Sequence, residues 1–146
     1  AIIDTKKVVG TMLSDSSGRW LRGDLTGPTD TGGGILSIEN DTGADIYVLR
    51  LIIHADTKST GACTFDCGIG ASATTVDDRL LDGIDVGTAA KDFDTARDGD
   101  LGTNGNPSTL WASTTFLTIS TKTGASAGYV GRYIVEVVDH EADVAF

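Results

Sequence analysis

The sequence has few helix-forming residues. Of its 21 acidic residues 18 are aspartate and three are glutamate, and it has five lysines against twenty threonines and nineteen glycines. Aspartate and glycine favour turns and threonine favours strands, whereas glutamate and lysine suit helix interiors. The composition therefore predicts an all-β protein, and 146 residues are enough for one domain with a buried core.

Basic residues are also scarce, and long apolar runs do not occur. Eleven lysines and arginines against 21 acids give a formal net charge of −10. This balance argues against a nucleic-acid partner, because binding to a phosphate backbone needs clustered positive charge. No apolar run approaches the ~20 residues of a membrane-spanning helix, so we expect no membrane partner either.

Cysteine is limited to Cys63 and Cys67. In a strand both would point to one face, with Cα atoms roughly 13 Å apart at ~3.3 Å per residue. A disulfide requires a separation below about 7 Å. We therefore predict two buried free thiols, which fits assembly in a reducing cytoplasm.

The first 34 residues differ from the rest of the chain. Their apolar residues are few and are separated by turn- or linker-like stretches. We predict that residues 1–34 are either an extended arm that docks on a neighbour or an edge hairpin of their own domain. Tryptophan and arginine are enriched at interface hot spots, and a strand can add to a neighbour's sheet edge. The candidate partner-binding residues are Val8, Val9, Met12, Leu13, Trp20, Leu21 and Arg22.

Residues 35–146 carry the strand patterns. The strongest, 45–55, is apolar on both faces, which predicts a central strand covered on two sides. Residues 129–139 alternate as a last long strand. Between them, 70–113 is an irregular Asp- and Gly-rich stretch in which Asp77 could cap one helical turn. Strands at this spacing predict an antiparallel β-sandwich or jelly-roll-like domain.

Two motifs suggest catalysis or cofactor binding, but both lack the necessary context. Residues 124–128 match a nucleophile elbow centred on Ser126, yet a strand follows where the elbow needs a helix. Residues 68–73 loosely match a dinucleotide fingerprint, and the sequence after them is a poor helix. We therefore expect no enzyme, no catalytic residues and no resident cofactor.

The strongest metal candidate is the acidic stretch 98–106. Asp98 and Asp100 are weak candidate calcium ligands, because oxygen ligands at alternate positions are what a calcium loop uses. Thr109 stands where an EF-hand has its closing glutamate. The favoured interpretation is a solvated loop without calcium.

Three segments carry a family resemblance: Leu80-Leu-Asp-Gly-Ile-Asp-Val-Gly-Thr-Ala-Ala90, Asp100-Leu-Gly-Thr-Asn-Gly105 and Ser126-Ala-Gly-Tyr-Val-Gly-Arg-Tyr-Ile-Val135. The preceding Thr64-Phe-Asp-Cys-Gly-Ile-Gly70 also looks similar in placement. They resemble a group of short tailed-bacteriophage proteins, the capsid decoration or cement proteins. They lie in the C-terminal half to two-thirds of the chain. Residues 1–34 fall outside the resemblance, and Cys63 and Cys67 stand where aliphatic residues are expected.

The resemblance implies a structural virion protein on the capsid surface. Such a protein binds the outside of a preassembled shell and stabilises it, typically as a homotrimer, with the major capsid protein or another shell protein as partner. The alternative is a carbohydrate- or receptor-binding β-sandwich module of a fibre or surface assembly. Such modules usually display aromatic rings for stacking on sugars, and this chain has nine aromatic residues.

Overall fold

The structure, a computed structural model, describes residues 4–9, 19–27 and 33–139. These residues form strands, turns and loops, with one 3-10 turn at Asp98–Asp100 and no α-helix. This confirms the prediction of an all-β protein. In chain order the strands are β1 (Asp4–Val9), β2 (Arg19–Thr26), β3 (Gly33–Asp41), β4 (Ile46–Thr57), β5 (Cys63–Gly70), β6 (Leu81–Asp85), β7 (Phe93–Asp94), β8 (Thr109–Trp111), β9 (Phe116–Gly124) and β10 (Val130–Asp139).

The strands form two sheets that pack face to face. Sheet A has the order β1-β3-β9-β5-β6, and sheet B has the order β2-β10-β4-β7 with β8 also paired to β4. These pairs are antiparallel except for β1 with β3, which is parallel. Apolar side chains from both sheets share one core, and this confirms the predicted antiparallel sandwich.

Large aromatic side chains fill the core between the sheets. Trp111, Phe65 and Tyr129 are fully buried. The rings of Phe65 and Tyr129 meet edge to face, with centroids 5.0 Å apart, and such pairs add about 0.5–1.5 kcal/mol beyond area burial. Leu21 and Leu25 of β2 belong to the same core, so the edge strand of sheet B takes part in it.

The two longest described strands are β4, with 12 residues, and β10, with 10 residues. Sequence analysis identified both, and they lie side by side in sheet B. The inward residues Val48, Leu51 and Ile53 are fully buried, but Leu49 is 44% exposed and Ile52 is only half-buried. Strand β4 is therefore central, as predicted, but the described residues cover only one of its faces.

Both cysteines are free thiols buried in β5, as predicted. Burial raises the pKa of the Cys63 thiol and raises that of Cys67 far more. Because the thiolate is the reactive form of cysteine, we expect both thiols to react slowly in the folded protein.

The stretch 70–113 is more ordered than expected. It contains β6, β7 and β8, and β6 pairs with β5 in sheet A.

The predicted helical turn capped by Asp77 is wrong. The Asp77 carboxylate instead accepts hydrogen bonds from the backbone N–H groups of Ile69 and Arg79, which fixes a local turn that competes with a helix.

The described parts of residues 1–34 lie in different sheets. Strand β1 pairs with β3 at one edge of sheet A, and β2 pairs with β10 at one edge of sheet B. The division into 1–34 and 35–146, with an arm that contacts a partner, stays a prediction.

Candidate functional site: the outer face of sheet B

Exposed apolar side chains are concentrated on one sheet. The described residues include five exposed large hydrophobic side chains, and four of them lie on strands of sheet B. The fifth, Val76, is in the loop before β6. The four, with their exposed fractions, are Trp20 (44%), Leu49 (44%), Leu110 (36%) and Val130 (43%).

Strand alternation decides which side chains face away from sheet A. In β2, Leu21 and Leu25 are buried, so Trp20, Arg22 and Asp24 point outward. In β10 and β4 the corresponding outward residues align with them across the sheet. The resulting rows are Trp20–Glu136–Arg50, Arg22–Ile134–Ile52 and Asp24–Arg132–His54. We call the surface formed by these rows the outer face of sheet B.

Gly23 lets β2 lie close to its neighbour. A Cβ at this position would come within 2.7 Å of the Tyr133 hydroxyl and 2.8 Å of its ring. A side chain would therefore collide with the buried tyrosine. Because Gly23 has no side chain, β2 can pair closely with β10 and place Arg22 and Asp24 beside it.

A groove of about 410 Å³ runs across this face. Ile52 and Ile134, which are cross-strand partners, form its apolar floor. Its size lies within the ~300–1,000 Å³ of ordinary ligand sites. The polar side chains that line it are Arg22, Asp24, His54, Asp92 and Arg132.

A cluster of polar contacts closes one side of the groove. The His54 Nδ1 lies 2.6 Å from the Asp92 carboxylate, and its Nε2 lies 3.2 Å from Asp56 Oδ1. Arg132 approaches the same Asp56 oxygen at 3.3 Å. These contacts link β4, β10 and the loop before β7 at the groove's rim.

Arg50 and Asp94 form a second, two-point pair next to the groove. The Arg50 Nε donates to Asp94 Oδ1 at 2.9 Å, and a second guanidinium nitrogen donates to Oδ2. The hydrogen bond from Arg50 holds the pKa of Asp94 below its usual value and raises the pKa of Arg50. Arg50 is thus already occupied by a carboxylate of its own chain.

Arg22 differs from the other basic residues. Within the described part of the chain its guanidinium has no hydrogen-bond, ion-pair or ring partner. The side chain is exposed and borders the groove. A guanidinium presents a planar fork that fits a carboxylate, so Arg22 is available to an external anion.

The strands of this face are electrically balanced in an acidic protein. β2, β4 and β10 together contain four arginines and four acids, a formal charge of zero. The net charge of −10 therefore lies on the remainder of the chain. The arginines are Arg19, Arg22, Arg50 and Arg132, and the acids are Asp24, Asp56, Glu136 and Asp139.

Part of the outside of sheet A, at β5, is covered by a loop of the chain itself. A Cβ at Gly68 would meet Asp77 Oδ1 at 2.0 Å, so the loop after β5 lies directly on this strand. Lys122 donates to Asp82 at 2.7 Å, and this bond lowers the pKa of Asp82. Burial raises the pKa of the neighbouring Asp66. Sheet B carries no equivalent cover within the described residues.

The predicted partner-binding residues fall into four groups. Trp20 and Arg22 are exposed on the outer face of sheet B, whereas Leu21 is buried in the core. Val8 and Val9 pair through their backbones with β3. Met12 and Leu13 lie outside the described residues.

Sequence reasoning missed most of the groove. Ile52, His54 and Ile134 were recognised only as strand residues, and Asp92 was placed in an irregular loop. Alternation along 129–139 indicated that Arg132 and Ile134 share a face. The register between strands, which joins them to β2 and β4, could not be deduced from a single sequence.

The other candidate sites can be located in the structure. Ser126 is buried in the turn between β9 and β10, and its hydroxyl has no hydrogen-bond partner in the described ranges.

The Asp100 carboxylate is held by Arg97 at 2.9 Å and by the Asp94 N–H at 2.9 Å, whereas Asp98 is exposed. No cluster of three or more potential metal ligands occurs in residues 4–9, 19–27 and 33–139. The same ranges contain no helix long and apolar enough to cross a membrane.

No family model, curated protein or solved structure matches the chain.

Proposed function

We propose that this chain is a structural virion protein that binds the outer surface of a phage capsid through the outer face of sheet B and stabilises the shell. The observation that carries the proposal is the difference between the two sheets. A loop of the chain covers β5 of sheet A, whereas four of the five exposed large apolar side chains of the described residues lie on sheet B. Exposed apolar side chains set among polar residues are a feature of protein interaction surfaces.

The residue types on this face also support protein docking. Tryptophan and arginine are enriched in protein interfaces, and aspartate and glutamate are depleted there. Trp20 is exposed beside a neutral set of strands, whereas the rest of the chain is acidic. The acidic remainder of the chain would repel an acidic partner surface, whereas this neutral face would not.

The strand order supports a jelly-roll-like interpretation. Without β1, the sheets have the orders β3-β9-β5-β6 and β2-β10-β4-β7. Most consecutive strands change sheets, as in a double-sheet roll of eight strands. Such a rigid domain stabilises an assembled shell by mass action, because it binds the assembled state and not the separated subunits. A homotrimer is part of the proposal through the resemblance alone.

Carbohydrate binding is the second candidate, and the groove is the observation that favours it. Arginine, aspartate and histidine side chains around an apolar floor offer both donors and acceptors to sugar hydroxyls. Trp20 lies on the same face. A glycan-binding screen that reports a sugar with affinity dependent on Asp24 and Arg132 would favour this function.

The test is co-sedimentation with shells purified from the native assembly, after mass spectrometry has identified the co-purifying proteins. We expect Trp20→Ser to weaken shell binding by about 30-fold or more, because a hot-spot residue contributes about 2 kcal/mol or more. Val76→Ser is the matched control, since it removes an exposed apolar side chain from another surface. Equal binding by both variants and the parent chain would refute docking through sheet B.

A further inference from the structure

The groove on the outer face of sheet B combines an apolar floor with Arg22, a cation that has no partner within the described residues. Ile134 lies between Arg22 on one side and Ile52 on the other, in a single cross-strand row. Both isoleucines are only half-buried. An aliphatic side chain resting on them would complete their burial, at roughly 25 cal/mol per Å² of apolar surface removed from water.

The charged residues around the floor differ in their availability. Arg50 is fully engaged by Asp94, and Arg132 contacts Asp56. Arg22, at the β2 side, has no such partner among the described residues. A carboxylate entering the groove would therefore be taken by Arg22.

The acids next to the adjacent cross-strand row, Asp24 on β2 and Asp92 beside His54, complement this preference. His54 occupies one carboxylate oxygen of Asp92, and Asp24 lies next to Arg132 in the register without a hydrogen-bond partner in the described ranges. These carboxylates accept N–H donors and repel a second acid. The groove thus offers a site for an anion at Arg22 and sites for N–H donors at Asp24 and Asp92.

We propose that this groove binds an extended segment of a shell protein whose acidic side chain pairs with Arg22 and whose neighbouring aliphatic side chain packs on Ile52 and Ile134. The inference rests on the proposed function and names the chemistry of its partner. A peptide fits better than a sugar because the exposed floor is aliphatic, while the aromatic residue in the lining, Tyr133, is buried. Backbone N–H groups of the segment would reach Asp24 and Asp92.

The test uses the full chain and two defined peptides, Ac-Ser-Asp-Val-Ser-NH2 and the same peptide with Asn in place of Asp. In a nuclear magnetic resonance titration, the Asp peptide should shift amide signals of β2, β4 and β10. The Asn peptide should bind at least about tenfold more weakly, because it lacks the charge-assisted hydrogen bonds to the guanidinium. Arg22→Gln should cause a similar loss.

Arg79→Gln is the matched control, because it removes a partly exposed arginine away from this face. Both variants should keep the parent's melting temperature. Equal affinity for the Asp and Asn peptides, or shifts outside the groove, would overturn the inference. Groove shifts with glucose or glucuronate but with neither peptide would also overturn it, in favour of a sugar site.

Shell binding separates this inference from the proposed function. If Trp20→Ser abolishes co-sedimentation but Arg22→Gln leaves it unchanged, the docking face is right and the acidic segment is wrong. If the Asp peptide binds at Arg22 but the parent chain does not sediment with shells, the groove chemistry is right and the capsid function is wrong.

Discussion

Truncation of the N-terminal segment tests the structure and the arm hypothesis together. Deleting residues 1–18 removes β1, an edge strand of sheet A, and leaves β2 in place. Deleting residues 1–30 also removes β2 and with it Leu21 and Leu25, which are 9% and 1% exposed. The two truncations therefore differ by a strand whose side chains belong to the core.

The magnitude follows from those two leucines. Removing a buried leucine side chain typically costs about 2–5 kcal/mol, so the pair accounts for about 4–10 kcal/mol. The whole stability of a domain is about 5–15 kcal/mol. We expect the chain lacking residues 1–30 to be unfolded or close to it, and the chain lacking residues 1–18 to fold with a lower melting temperature.

Urea denaturation followed by circular dichroism measures both outcomes, and co-sedimentation with shells measures docking. The chain lacking residues 1–18 keeps Trp20 and Arg22, so we expect it to retain shell binding. A cooperative unfolding transition near the parent's stability for the chain lacking residues 1–30 would refute the packing argument. The whole segment would then be an arm. Unfolding of that chain would instead show that β2 is part of the domain.

Two further predictions concern buried groups of sheet A. The folded-state pKa of Asp82 lies below the ordinary 3.8, so its stabilising contribution is present above about pH 3.8 and is lost as the pH falls through the folded value. The pKa of Asp66 is raised, so its contribution is lost as the pH rises above 3.8. At pH 7 we expect Asp82→Asn to lower the free energy of unfolding and Asp66→Asn to raise it, and we expect both differences to shrink near pH 3. Urea denaturation at both pH values measures these differences, and the opposite signs at pH 7 would contradict the reasoning. Thiol titration should find two free groups per chain after unfolding and almost no reaction before it, because Cys63 and Cys67 are buried; rapid labelling of the native protein would contradict this.

The sequence was sufficient to predict the strands whose apolar pattern is long and regular. Strands β4 and β10 belong to this group. Strand β6 does not, because its short pattern contains Gly83 in a left-handed conformation with φ of 70°. The register of β5 against β6 also shifts between Phe65 and Asp66, which breaks the alternation that a strand prediction relies on. Strands β7 and β8 have only two and three residues, too few for any periodic signal.

The candidate site divides in the same way. Trp20 and Arg22 could be identified by residue type, because both types are common at interface hot spots. The groove could not be predicted, because Arg22, Ile134 and Ile52 come from three distant parts of the chain. Their contact depends on strand register, and a shift of one residue would turn each side chain to the opposite face.

The predicted cover of β4 is present on only one of its two faces. The two-sided apolar pattern of residues 45–55 predicts cover on both faces of β4, and the described chain supplies only the inner one. Ile52 remains half-buried and Leu49 remains 44% exposed. Single exposed apolar residues are common on protein surfaces, but here they join Trp20 and Ile134 on the same sheet. Under the proposed function, the partner shell would supply the cover that this pattern predicts for the outer face of sheet B.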